Sequence, residues 1–162
     1  MDIRIRPAVL KDAANFRRCY AMISKEGQYV FSAKIPSLAF TRADLRASMR
    51  KKDTVLVAID RKQIIGWVAV LHPATPSLSH CGDLRLFLPL AYQGKGLEIE
   101  LVTKALKIAR SEFEAVIFSS FRRNKPAQEM ATKLGFKLCG YQKNFAKLAY
   151  GFDDNLIMQK QL

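Results

Sequence analysis

Ile3-Arg4-Ile5-Arg6 alternates apolar and charged side chains with period two and stops at Pro7, the signal of a short strand. Ala13, Phe16, Tyr20 and Ile23 then recur at three- and four-residue steps, one face of an amphipathic helix with Asp12 in its first turn. Ser24 to Phe40 is rich in turn formers and predicts a long loop. Thr41-Arg42-Ala43-Asp44 fits a capping box and, with Leu45 and Met49 one turn apart, predicts a second, short helix. Two apolar runs, Val55 to Asp60 and Ile64 to Val70, read as strands, and the short Arg61-Lys62-Gln63 link between them predicts a hairpin. Beyond a Pro- and Ser-rich stretch from His72 to Ser79, Leu84, Leu86 and Leu88 alternate as another strand.

A helix is expected from near Gly96 to Arg110, with Leu97, Leu101, Ala105 and Ile108 on one face. A strand from Ala115 to Phe121, a helix from Pro126 to Leu134, and strand segments at Leu138 to Tyr141 and Asn155 to Gln159 complete the chain. Gly135 stands where a helix C-terminus needs a left-handed residue. The order implies one α/β domain over residues 1–162, a mixed sheet of six to seven strands flanked by four helices.

Charge changes the picture next. The 162 residues hold 27 Lys or Arg against 14 Asp or Glu, a net charge of +13, within an ordinary globular composition. The excess is spread evenly: residues 1–60 hold 12 basic and 6 acidic side chains, the rest 15 and 8. No run of five like charges forms a basic arm, and no helix-turn-helix or aromatic-basic motif is present, so a nucleic-acid partner ranks last. The longest apolar run, Ile64 to Leu71, is far too short to span a bilayer, and the start of the chain has no signal-peptide core. Cys19, Cys81 and Cys139 are widely spaced, and with only His72 and His80 they predict neither a disulfide framework nor a metal site. A reducing cytoplasm is the expected compartment.

Strand Leu84 to Leu88 runs through Tyr92-Gln93-Gly94-Lys95-Gly96 directly into a helix. That geometry suits an anion, because the first amides of a helix lack partners and glycines let backbone approach a ligand closely. It is not a Walker loop, since no Gly-Lys-Ser/Thr follows at the required spacing.

The segment resembles the acyl-CoA loop of the GNAT (general amine N-acetyltransferase) superfamily, Gln/Arg-x-x-Gly-x-Gly/Ala, through Gln93, Gly94, Lys95, Gly96 and Leu97. A second landmark, Asn124-x-x-Ala127 followed by Lys133-Leu134-Gly135-Phe136, resembles the pattern of the helix after the fifth strand in that family. The resemblance implies the GNAT-like acyl-CoA N-acyltransferase fold, with acetyl-CoA wedged between splayed fourth and fifth strands. It implies pantetheine contacts at Leu86, Phe87 and Leu88, with the Leu88 backbone amide polarising the thioester carbonyl. The diphosphate would sit on the amides from Gln93 to Glu98, and Asn124 and Ala127 would border the cofactor from the other side.

The chain departs from the family in three places, the smallest being Pro89, one position earlier than the usual proline. Where Gly or Ala is usual stands Glu98, whose carboxylate about 5 Å from a phosphate charge costs roughly 3 kcal/mol at an effective dielectric near 20. Glu98 could lean outward, or fill the anion site itself. The tyrosine that often protonates the departing thiolate is replaced by Ala131, leaving Tyr141, Ser119 and Ser120 as substitutes. Asp83, or His80, is the candidate base for the amine, and Cys81 beside them lacks the partners of a nucleophile. The Arg122-Arg123-Asn124-Lys125 cluster reads equally as a grip on the nucleotide phosphates or as a solvated loop. Trp67 and Phe87 read as core residues.

The expected function is acetyl transfer from acetyl-CoA directly to a primary amine of a small molecule or a protein N-terminus. The alternative is a GNAT-like module that binds acyl-CoA or a protein partner with little or no turnover. The expected partners are acetyl-CoA and an amine acceptor, with a homodimer as a further pairing and no membrane.

Overall fold

The structure is a computed structural model that describes residues 3–26 and 34–162. The described residues form seven strands and four α-helices. In chain order these are β1 (Arg4–Pro7), α1 (Ala13–Glu26), α2 (Leu38–Lys51), β2 (Thr54–Asp60), β3 (Gln63–Leu71), β4 (Cys81–Phe87), α3 (Leu97–Ala109), β5 (Ala115–Phe121), α4 (Lys125–Lys133), β6 (Lys137–Leu148) and β7 (Gly151–Gln161). One sheet carries the strands in the order β1-β2-β3-β4-β5-β7-β6, antiparallel except for β4 against β5. The expected α/β class, mixed sheet and strand and helix numbers are all present.

Apolar alternation on the central strands feeds two cores. Leu84, Val116 and Phe118 face α3 and α4, where they meet Leu101, Val102, Met130 and the fully buried Ala131. On the opposite face Val57 and Ile64 meet Phe16, Cys19 and Ile23 of α1 and Leu45 of α2. Burial pushes the Cys19 thiol up to about 12, so it acts as a small apolar residue. The two faces of β4 diverge accordingly, with Leu86 on the α3 side and Phe87 on the α1 side.

Several element boundaries differ from the sequence reading, among them β4, which starts at Cys81 instead of Leu84, and β7, which starts at Gly151 instead of Asn155. The second helix starts at Leu38, because Ser37 Oγ accepts the Phe40 amide at 3.1 Å and caps it. Thr41 lies inside that helix, its hydroxyl donating to the Ser37 carbonyl. Of the expected Ser24–Phe40 loop, Ser24 to Glu26 extend α1, Leu38 to Phe40 open α2, and residues 27–33 lie outside the described residues. Strand β6 runs for 12 residues rather than four, held by its ladder to β7 although most of its side chains are exposed.

The pairing of β4 with β5 decides where a site can form. It begins at Cys81↔Ala115 and ends at Leu84↔Phe118, so Arg85 to Phe87 continue without a partner on that side. Beyond Leu84 the sheet opens into a wedge. Gly66 of β3 sits where a Cβ would come within 2.5 Å of Leu88 Cδ1 and 3.1 Å of the Phe87 carbonyl, so this close approach fixes the end of β4.

Candidate active site

A cavity of about 800 Å³ fills the wedge and reaches both faces of the sheet. On the α3 side its wall is built by Leu86, Leu88, Gln93, Gly94, Glu98, Phe118, Ser120, Asn124 and Ala127. Phe87 and Asp83 line the α1 side. Of the residues expected to hold the cofactor, Leu86, Phe87, Leu88, Gln93, Gly94, Glu98, Asn124 and Ala127 thus meet in one space. Lys95, Gly96 and Leu97 shape the turn instead of lining the cavity.

That turn is held by its own side chains. Gln93 Nε2 donates to the Leu88 carbonyl at 2.7 Å, and Lys95 Nζ donates to the Ala91 carbonyl at 2.6 Å. Gly94 and Gly96 have φ of +70° and +85°, the left-handed region that favours glycine, and a Cβ on either would meet only open space. Leu97 is buried and anchors the first turn of α3 in the core. The Gly94 amide donates to Glu98 Oε1 at 3.1 Å, so Glu98 turns inward onto the loop. Asn124 caps α4, its Oδ1 accepting the Ala127 amide at 3.3 Å, from the far wall of the cavity.

The other half of the cavity is aromatic with charged edges. Trp67 stacks on Phe87 with centroids 4.1 Å apart, Phe16 lies 5.4 Å from Trp67, and Tyr20 lies 6.0 Å from Phe87. Trp67 and Phe87 therefore pack in the core and also line the cavity. Burial raises the Tyr20 phenol above its ordinary range, so it stays protonated at neutral pH. Glu26 and Asp44 join this wall, the former accepting the Leu90 amide with both oxygens at 3.1 and 3.0 Å. Sequence reasoning missed Tyr20, Glu26 and Asp44 as cavity residues. Their helical spacing marks only which face turns inward, and no spacing relates α1 to residue 90.

Asp83 lies on the cavity wall, 41% exposed, with Arg85 Nε donating to its Oδ2 at 2.9 Å. Tyr141 does not reach the cavity: it sits on β6 opposite Leu156 and is 64% exposed. Ser119 and Ser120 of β5 do line it. His80 is exposed, and its carbonyl accepts the amides of Glu114 and Ala115. His72 is structural, pinned by Asp53 at 2.8 Å and packed 4.4 Å from Phe113. Burial, reinforced by Asp83, raises the Cys81 thiol, which keeps it out of its nucleophilic form. The basic cluster turns toward β7: Arg122 pairs with Asp154 at 3.2 Å and Arg123 lies 4.5 Å over the Tyr150 ring.

Among the described residues, four buried side-chain polar atoms have no hydrogen-bond partner: Trp67 Nε1, Glu98 Oε2, Ser120 Oγ and Asn155 Oδ1. All four residues line this one cavity. Buried polar groups are normally paired, so their concentration here marks a space built to receive polar ligand atoms. Trp67 Nε1 and Ser120 Oγ can donate and Asn155 Oδ1 can accept, a mixed set that suits carbonyl and amide groups, while the Gly94 amide is occupied by Glu98. No group of three potential metal ligands occurs among the described residues, and none of their helices is long and apolar enough to cross a membrane.

Comparison with known proteins agrees with the wedge. A family profile described as acetyltransferase (GNAT) domain matches residues 2–137. The fold is similar to the acetyltransferase of the GNAT family from Streptococcus pneumoniae, at 23% identity and a TM-score of 0.93, covering 99% of this chain and 100% of that one. A GNAT superfamily phosphinothricin acetyltransferase from Sinorhizobium meliloti, in complex with acetyl-CoA, is similar at 20% identity and a TM-score of 0.91 over 100% of this chain and 89% of its own. Ribosomal-protein-alanine N-acetyltransferase from Brucella melitensis matches at 21% identity and a TM-score of 0.90, over 98% and 99% of the two chains. A sequence search of curated proteins returns no match. With the profile spanning most of the sequence and the sheet parting at its fourth and fifth strands, this chain belongs to the GNAT acetyltransferase family.

Proposed function

We propose that the protein transfers an acetyl group from acetyl-CoA directly to a primary amine, on a small molecule or a protein N-terminus, with residues 1–162 acting as one catalytic unit in the cytoplasm. The observation that carries this reading is the wedge beyond Leu84↔Phe118, whose cavity collects every partnerless buried polar atom found among the described residues. The acetyl-CoA in the similar Sinorhizobium meliloti structure supports the donor. That enzyme's name and the Brucella melitensis one offer a small amine and a protein N-terminus as acceptor classes.

Acetyl-CoA supplies a thioester carbonyl, the carbon that an amine attacks. Leu86 to Leu88 would hold the donor arm along the unpaired side of β4, and the Leu88 amide would hydrogen-bond the carbonyl oxygen as it gains charge. Asp83, on the α1 side of the cavity, would take the proton of the attacking amine. Ser120, a residue of the cavity wall whose buried hydroxyl has no partner, would donate to the departing sulfur. It takes the role expected of Tyr141, which lies outside the cavity.

Thiol release over a panel of small amines and N-terminal peptides tests the reading. Release with at least one acceptor supports transfer. Acetyl-CoA binding without release on any acceptor supports the non-catalytic module, a reading that Glu98 and the buried Ala131 favour.

A further inference from the structure

We infer that Glu98 is a built-in competitor for the anion-binding turn, so that the donor's diphosphate must displace its carboxylate in order to bind; this rests on the acyl-donor reading above. Three observations meet at this residue. Its Oε1 accepts the Gly94 amide at 3.1 Å, the donor that an arriving phosphate would use. Its Oε2 is buried in the cavity wall without a partner. A Cβ on Gly94 or Gly96 would meet nothing within 4 Å, so the turn has open space beside both glycines for a ligand.

A glutamate placed only to favour the dipole of α3 would turn its carboxylate to water. Here one oxygen instead stands where a ligand oxygen belongs and the other goes unsatisfied, a costly arrangement that lasts only while the space stays free of a better anion. Lys95 of the same turn donates its Nζ to the Ala91 carbonyl at 2.6 Å rather than to the Glu98 carboxylate. Glu98 therefore weakens the grip on the nucleotide end of the donor and leaves the pantetheine and acyl parts to decide affinity. The site is tuned to release a diphosphate-bearing product readily.

Calorimetry with two probes tests this: CoA, and pantetheine, which lacks the diphosphate. Glu98→Ala should tighten CoA by about tenfold or more, whereas pantetheine should change by less than about twofold. Glu98→Gln, which loses the charge but keeps an oxygen for the Gly94 amide, should fall between wild type and Glu98→Ala. The conservative variant also serves if the alanine protein fails to fold, its expected result then being tighter CoA binding than wild type. Equal or weaker CoA binding in the variants overturns the role of Glu98, as does an equal gain for pantetheine. Failure of wild type and both variants to bind CoA at all removes the acyl-donor reading itself, a different outcome from equal binding by all three.

Discussion

Asp12 is buried and serves three donors at once. Arg6 reaches it through both terminal guanidinium nitrogens at 2.7 and 2.8 Å, and the Val9 amide at 2.8 Å. Burial acts to raise its pKa, but the Arg6 and Val9 hydrogen bonds and the Arg6 charge outweigh it and hold the carboxyl below the usual range. A depressed folded pKa gives stability that is present above the unfolded value, about 3.9, and lost as pH falls through the folded one. Asp12→Asn should therefore cost about 3 kcal/mol at neutral pH, and the gap to wild type should close in acid as the native carboxylate is protonated. Urea titrations at a series of pH values measure it. The candidate proton donors Ser120 and Tyr141 make a second residue-scale contrast. Ser120→Ala, removing a partnerless hydroxyl buried in the cavity wall, should lower kcat about tenfold with little change in KM, while Tyr141→Phe should leave both unchanged. Steady-state thiol release reads the difference, and a loss with Tyr141→Phe equal to that with Ser120→Ala would reverse the assignment. None of this contrast was legible in the sequence, because Ser119, Ser120 and Tyr141 could be ranked only by the elements that carry them.

The turn between β2 and β3 shows how an element stores strain. Arg61 and Lys62 both have positive φ, 46° and 69°, a conformation that costs ordinary L-residues about 1 kcal/mol each and that Asn and Gly adopt readily. Arg61→Asn with Lys62→Gly should raise the melting temperature by about 3 °C, read by scanning calorimetry. That hairpin was visible beforehand as two apolar runs with a short link, and β5 was read to its end residues because both faces of the strand are packed. The start of the second helix is masked in the sequence because Thr41-x-x-Asp44 mimics a capping box, whereas Ser37 makes the cap. Strand β6 was mostly missed for the opposite reason. Its side chains face solvent and its order comes from the β7 ladder, which leaves little hydrophobic period to detect. Half of the site, the turn from Gln93 to Glu98 and the Asn124 cap, was legible because strand, glycine turn and helix start are consecutive in the chain. The α1 side of the cavity was legible only at Asp83 and Phe87, since Tyr20, Asp44 and Trp67 come from three elements that only the folded sheet brings together.

At the scale of the whole molecule, a net charge of +13 surrounds a cavity whose wall carries Glu26, Asp44, Asp83 and Glu98 against Arg17, Lys34 and Arg85. The densest basic cluster is turned away from that wall, Arg122 being held by Asp154 on the β7 side. With four carboxylates facing three basic side chains on the wall, the excess positive charge lies outside the site and acts on a polyanionic donor from a distance, through the summed field. Such a field raises the rate of encounter and is screened once the Debye length falls below the molecular dimensions. The association rate of CoA, followed by stopped flow, should fall several-fold between about 0.02 M and about 0.3 M salt, while the dissociation rate changes little. Arg122→Ala removes one of 27 basic side chains, and should lower CoA affinity by less than about twofold and stability by less than about 1 kcal/mol. A tenfold loss of affinity in that variant would instead make Arg122 a direct phosphate ligand, released from Asp154 when the donor arrives.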